Sequence, residues 1–178
     1  MIFPYKNKLR DYLKSQGIIY KEPTGKPIFL SGGQISDYYV DIKKAYGQPL
    51  ALEAIVDAVL EQIASETTCV AARGYGGVPL ASALAVKGGF NLTLIRDEEK
   101  KHGKGGLIDG HLPNKSDYVA IIDDVFTTGR NLRKCAEILK PTGAKIVGGY
   151  VVVRRSDSDL DNPDFPIKHI FTVEELLV

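Results

Sequence analysis

Tyr118-Val-Ala-Ile-Ile-Asp-Asp-Val-Phe-Thr-Thr-Gly-Arg-Asn-Leu132 is the stretch whose reading decides the fold. Residues 119–122 form a short apolar, β-branched run of the kind a parallel sheet buries on both faces. Asp123 and Asp124 stand at the carboxyl end of that predicted strand, and Thr127, Thr128 and Gly129 then supply hydroxyls and a flexible backbone. Residues 131–139 have helical spacing, with Leu132, Ala136 and Leu139 on one side. The N–H groups and positive dipole end of such a helix face whatever lies above the sheet edge, which favours an anion. A strand-loop-helix connection alone is common, with surface acids and threonine caps. The combination is more specific. Two adjacent carboxylates repel unless they bind hydroxyls or a cation, and here an anion cradle follows at once. A sugar phosphate suits both, its diol on the acids and its phosphate on the loop. No Gly-x-x-x-x-Gly-Lys-Ser/Thr occurs, so the segment is not a nucleotide P-loop.

Working outward, the periodicity predicts a helix over 6–16, extended segments over 18–44 forming a hairpin-like cap, and a strong helix over 49–65. A strand over 68–72, a glycine loop, a helix over 78–87 and a strand over 91–96 follow. After a polar glycine-containing loop come a short strand, the phosphate-site strand and its helix, a strand over 145–153, and a closing strand-helix pair over 168–177. Alternating strands and helices predict an α/β fold with a mainly parallel sheet covered on both faces. The expectation is one domain over 1–178, with a hood over about 1–45 and a core over about 46–178.

Composition bounds the function. A chain of 178 residues with 44% hydrophobic content can bury one full core. Its 23 basic and 22 acidic residues nearly cancel to +1, so no basic field marks a nucleic-acid binder. Cys69 and Cys135 each lie in an apolar stretch and read as buried free thiols rather than a disulfide or metal site. No apolar run approaches a membrane span and the first residues are no signal peptide, so the expected address is the cytoplasm.

The segment around Asp123 resembles the phosphoribosyl pyrophosphate (PRPP) motif of the type I phosphoribosyltransferases. The resemblance implies a PRPP-binding run of Asp123, Asp124, Val125, Phe126, Thr127, Thr128, Gly129, Arg130 and Asn131, with the acids on the ribose and Thr127 to Asn131 on the 5′-phosphate. Residues 96–106 mix cations, acids, a histidine and glycines; by charge alone they read as a solvated turn or as a hinged lid over a polyanion. They resemble the catalytic loop of the orotate phosphoribosyltransferase family through Arg96, Lys100 and His102-Gly103. That family often carries a lysine directly after the arginine, where this chain has Asp97. Phe29-Leu-Ser-Gly-Gly-Gln-Ile-Ser-Asp-Tyr-Tyr-Val-Asp41 reads as a tight turn between strands and is similar to the family's hood over the base, with Ser31 where many members have lysine.

Arg73-Gly-Tyr-Gly-Gly-Val-Pro79 has the glycines of a dinucleotide fingerprint, but Pro79 replaces the third and no acid follows at the right distance. In the family this loop receives the pyrophosphate with a Tyr-Lys pair; Tyr75 is present, Gly76 occupies the lysine position, and Arg73 is the candidate substitute. Arg154 and Arg155 close the strand over 145–153, and the resemblance assigns Arg155 to the orotate carboxylate, with Thr127 also at the base.

These matches imply an orotate phosphoribosyltransferase of the type I fold, converting PRPP and orotate to orotidine monophosphate and pyrophosphate in pyrimidine synthesis. They also imply Arg96, Lys100 and His102 on the leaving pyrophosphate and Mg2+ held by PRPP and water rather than directly by side chains. A homodimer with the lid shared between subunits completes the expectation. Two alternatives stay open: a phosphoribosyltransferase for another base, and a PRPP-sensing regulator without turnover.

Overall fold

The computed structural model describes residues 6–24, 26–29, 35–99, 106–155 and 164–177. Helix α1 (Lys6–Ser15) buries Leu9 and Leu13 and stops at Gly17, whose φ of 60° suits a residue without a side chain. Two short antiparallel pairs follow: β1 (Ile19–Lys21) with β4 (Tyr38–Val40), and β2 (Ile28–Phe29) with β3 (Ile35–Ser36). They are the predicted hairpin-like cap. Helix α2 (Lys43–Tyr46) leads into α3 (Pro49–Leu60), whose proline sits in the first turn where its missing N–H costs nothing. Helix α3 stops five residues short of the predicted end, and turn residues follow from Glu61.

Strand β5 (Cys69–Arg73) enters the sheet, and α4 (Gly74–Gly88) begins immediately after it. The expected glycine loop is therefore wrong: those glycines are the first turn of a helix. A Cβ on Gly77 would lie 2.5 Å from the Ile122 carbonyl oxygen and 3.2 Å from Ala72 Cβ. Glycine here lets the helix start directly against the sheet, a packing need that outweighs its poor helix propensity. Strand β6 (Asn91–Ile95) and the short edge strand β7 (Ile108–Gly110) follow, paired antiparallel. Strand β8 (Tyr118–Phe126) leads through a tight turn to α5 (Arg130–Leu139). The remaining elements are a 3-10 turn (Lys140–Thr142), β9 (Lys145–Arg154), β10 (Ile167–Thr172) and α6 (Val173–Leu177).

The six-stranded sheet runs β10-β9-β8-β5-β6-β7, parallel except for β7. From β5 the chain steps outward to β6, whereas from β8 it steps the other way to β9 and β10, so strand order reverses between β5 and β8. An open α/β sheet forms its ligand crevice at the carboxyl ends of such a pair. Side chains alternate across the sheet: Val70, Ala72, Ala120 and Ile122 pack with α1, α3 and α4, while Cys69, Ala71, Val119 and Ile121 pack with Leu132, Cys135 and Leu139 of α5. Both cysteines are buried and free, and burial pushes the Cys135 thiol up to about 12. Among the described residues no helix is long and apolar enough to cross a membrane.

Candidate active site

Strand β8 holds both acids near its carboxyl end, as expected, and runs two residues past them because β9 continues to pair with it up to Phe126. Its partner on the other side, β5, pairs only as far as Ile122. From Asp123 onward one edge of β8 is thus open, and a cleft of about 950 Å³ occupies the gap. Successive side chains on a strand point to opposite faces, so the two acids acquire different partners. Asp123, 6% exposed, accepts hydrogen bonds from the Asn131 side-chain amide at 2.8 Å and the Asp124 N–H at 3.0 Å. Burial, and after it the charge of Asp124, pushes the Asp123 carboxyl up to about 7. Asp124 instead accepts from the Val125 N–H at 2.8 Å and lies 3.6 Å from Lys43 Nζ.

Lys43, Arg73 and Arg155 are among the cations that line the cleft. Lys43, at the start of α2, also pairs with Asp41 at 3.1 Å and lies 5.7 Å from the Tyr39 ring centroid. Burial opposes its charge, but Asp41, Asp124 and Tyr39 outweigh it and hold the ammonium above the usual lysine range. Arg73, at the end of β5, donates to Asn131 Oδ1 at 3.1 Å and pairs with Asp97 at 2.7 Å. Arg155, just past β9, donates through Nη2 to Ser36 Oγ and stacks its guanidinium carbon 4.2 Å from the Tyr38 ring centroid. Its main-chain N–H donates to the Phe126 carbonyl at 2.9 Å, fixing it beside the end of β8. Hood and core meet at this arginine.

The turn after β8 is closed by Gly129 at φ 72°, which places the N-terminus of α5 at the cleft. The cleft is lined by the whole predicted run from Asp123 to Asn131 and by Arg155, Tyr39 and Tyr75. Arg96 is not among the lining residues: its guanidinium pairs with Asp109 in β7. Lys100, His102, Ser31 and Gly32-Gly33 lie outside the described residues. Lys43 was missed in the sequence, although it stands four residues after Tyr39, a spacing at which a lysine can reach back over a ring. A Cβ on Gly76 would meet the Asp124 carboxylate, the mobile end of a side chain, so a longer residue there requires Asp124 to shift.

Residues 44–177 match the family described as "Phosphoribosyl transferase domain". The orotate phosphoribosyltransferase of Pyrococcus abyssi is 38% identical over 136 residues, 75% of this chain and 74% of that protein. That of Methanocaldococcus jannaschii is 33% identical over 175 residues, 96% of each. The crystal structure of orotate phosphoribosyltransferase from Aeropyrum pernix superposes with a TM-score of 0.79 at 27% identity, covering 95% of this chain and 96% of that one. With an acid pair at the end of β8 and the turn into α5 at the switch point of a mainly parallel sheet, the chain belongs to the type I phosphoribosyltransferase family, among the orotate phosphoribosyltransferases.

Proposed function

We propose that this cleft transfers the phosphoribosyl group of PRPP to orotate, giving orotidine 5′-monophosphate and pyrophosphate, a step of pyrimidine synthesis. The observation that carries this reading is the convergence on one cleft of the β8–α5 turn, suited to a sugar phosphate, and Arg155, suited to a planar carboxylate. In the proposed pose Asp123 and Asp124 hold the ribose hydroxyls and residues Thr127, Thr128, Gly129, Arg130 and Asn131 receive the 5′-phosphate. Val125 and Phe126 form the floor between them, while Thr127 and Arg155 orient orotate. Arg96, Lys100 and His102 act on the leaving pyrophosphate.

In the reaction the bond from the anomeric carbon to pyrophosphate breaks and its electron pair leaves with the pyrophosphate. The orotate ring nitrogen, having given up its proton, supplies the pair for the new C–N bond. Positive charge grows on the ribosyl carbon between these events, so catalysis consists mainly of placed charge and excluded water. The carboxylate oxygens of Asp123 and Asp124, on the ribose hydroxyls, suit a hard cation beside them; Mg2+ would be held by PRPP oxygens and water rather than directly by side chains and would neutralise charge on the leaving group. The same reading makes the chain a cytoplasmic homodimer in which each lid serves the neighbouring site.

A panel of bases tests the assignment. With PRPP and magnesium the full-length chain should release pyrophosphate with orotate and not with adenine, guanine or hypoxanthine. Release with a purine would move the chain to another base class; PRPP binding without release with any base would make it a sensor.

A further inference from the structure

Arg73 stands where a counter-ion for a polyphosphate is needed, yet its charge is already engaged. One terminal nitrogen donates to Asn131 Oδ1 at 3.1 Å, the other pairs with Asp97 at 2.7 Å, and Asn131 passes a hydrogen bond of 2.8 Å to Asp123. The chain Asp97–Arg73–Asn131–Asp123 therefore crosses the cleft wall from the end of β6 to β8. The two ends of its ion pair are unlike: the Arg73 side chain is 24% exposed and that of Asp97 is 69% exposed. A guanidinium held by Asn131 keeps its place if the solvated carboxylate swings into water. Asp97 also satisfies it incompletely, since Arg73 Nε is buried with no hydrogen-bond partner among the described residues. A phosphoryl group, with several acceptor oxygens, can serve two adjacent nitrogens of a guanidinium at once. Position 76, in the first turn of α4, is a glycine and supplies no second cation to this wall.

We propose that Asp97 is a displaceable counter-ion. It pairs with Arg73 and yields the guanidinium to the pyrophosphate group of PRPP, so that it lowers the affinity for that group and eases its release after transfer. This inference rests on the reading of the cleft as a PRPP site. It gives a function to a carboxylate at the position where the family often has a lysine.

Titration calorimetry with magnesium pyrophosphate on the full-length chain tests it through wild type, Asp97→Asn, Arg73→Ala and the double variant. Asp97 is exposed, so its substitution leaves the fold intact. Asp97→Asn should tighten pyrophosphate binding about fivefold, the upper range for an exposed ion pair. Arg73→Ala should weaken it about tenfold or more, and Asp97→Asn should then change nothing further, because the residue it competes for is gone. Equal tightening in both backgrounds would show that Asp97 acts only as a general negative charge, and weakening by Asp97→Asn would make it a support for Arg73; either overturns the proposal. A wild type that binds PRPP while Arg73→Ala binds pyrophosphate normally overturns the counter-ion alone. A wild type that binds neither PRPP nor pyrophosphate overturns the site reading as well.

Discussion

Asp123 carries an electrostatic cost, being a buried carboxyl beside a second acid. Its carboxyl is raised from 3.8 to about 7, first by burial and then by the charge of Asp124. A raised acid favours the fold in its protonated form, so its contribution is full below 3.8 and is lost as pH rises through about 7. Asp124→Asn removes one cause of the shift and keeps the size of the side chain. The stability of this variant relative to wild type should therefore rise as pH increases from about 5 to about 7 and level off above that, as urea unfolding of both chains would report. A constant difference across that range would mean that the two carboxyls do not sense each other. Arg155 makes a second test at this scale. Arg155→Ala should raise the Michaelis constant for orotate by ~10-fold or more and leave that for PRPP within about twofold, since a guanidinium pairs with carboxylate in parallel hydrogen bonds. Equal effects on both substrates would remove Arg155 from the base site.

At the scale of elements, close approach of helix to strand shapes the site more than propensity does. Helix α4 reaches the sheet only because Gly77 has no side chain against the Ile122 carbonyl, 2.5 Å from where a Cβ would lie. Gly77→Ala should cost ~2 kcal/mol of unfolding free energy, measurable by urea denaturation, as backbone of β8 or α4 moves to make room. A loss below about 0.5 kcal/mol would show that the contact is relaxed. The same contact explains where the sequence was legible and where it was not. Apolar β-branched runs such as Val119 to Ile122 announce a doubly buried strand, and the spacing of Leu132, Ala136 and Leu139 announces a helix face, because both signals are local. The start of α4 was illegible since a glycine run reads as loop unless the neighbouring strand is known. The continuation of β8 past its two acids depends on β9 lying alongside, and Lys43 enters the site only through the meeting of hood and core. That the run from Asp123 to Asn131 lines the cleft was legible, because it is one contiguous segment between a strand and a helix.

At the scale of the whole molecule, the proposed shared lid makes a claim about assembly. Lys100→Ala and Asp124→Asn chains should each be nearly inactive alone. After subunit exchange, mixed dimers would hold one site with both defects and one with neither, restoring roughly a quarter of wild-type turnover. No recovery, with exchange verified, would confine each lid to its own chain. The conversion itself is tested most directly by stoichiometry. With the full-length chain in excess over PRPP, and orotate and magnesium present, one orotate should disappear and one orotidine monophosphate and one pyrophosphate should form per PRPP, with none lost when PRPP is withheld. Pyrophosphate released without orotate consumption, or no release at all, would contradict the assignment of the cleft.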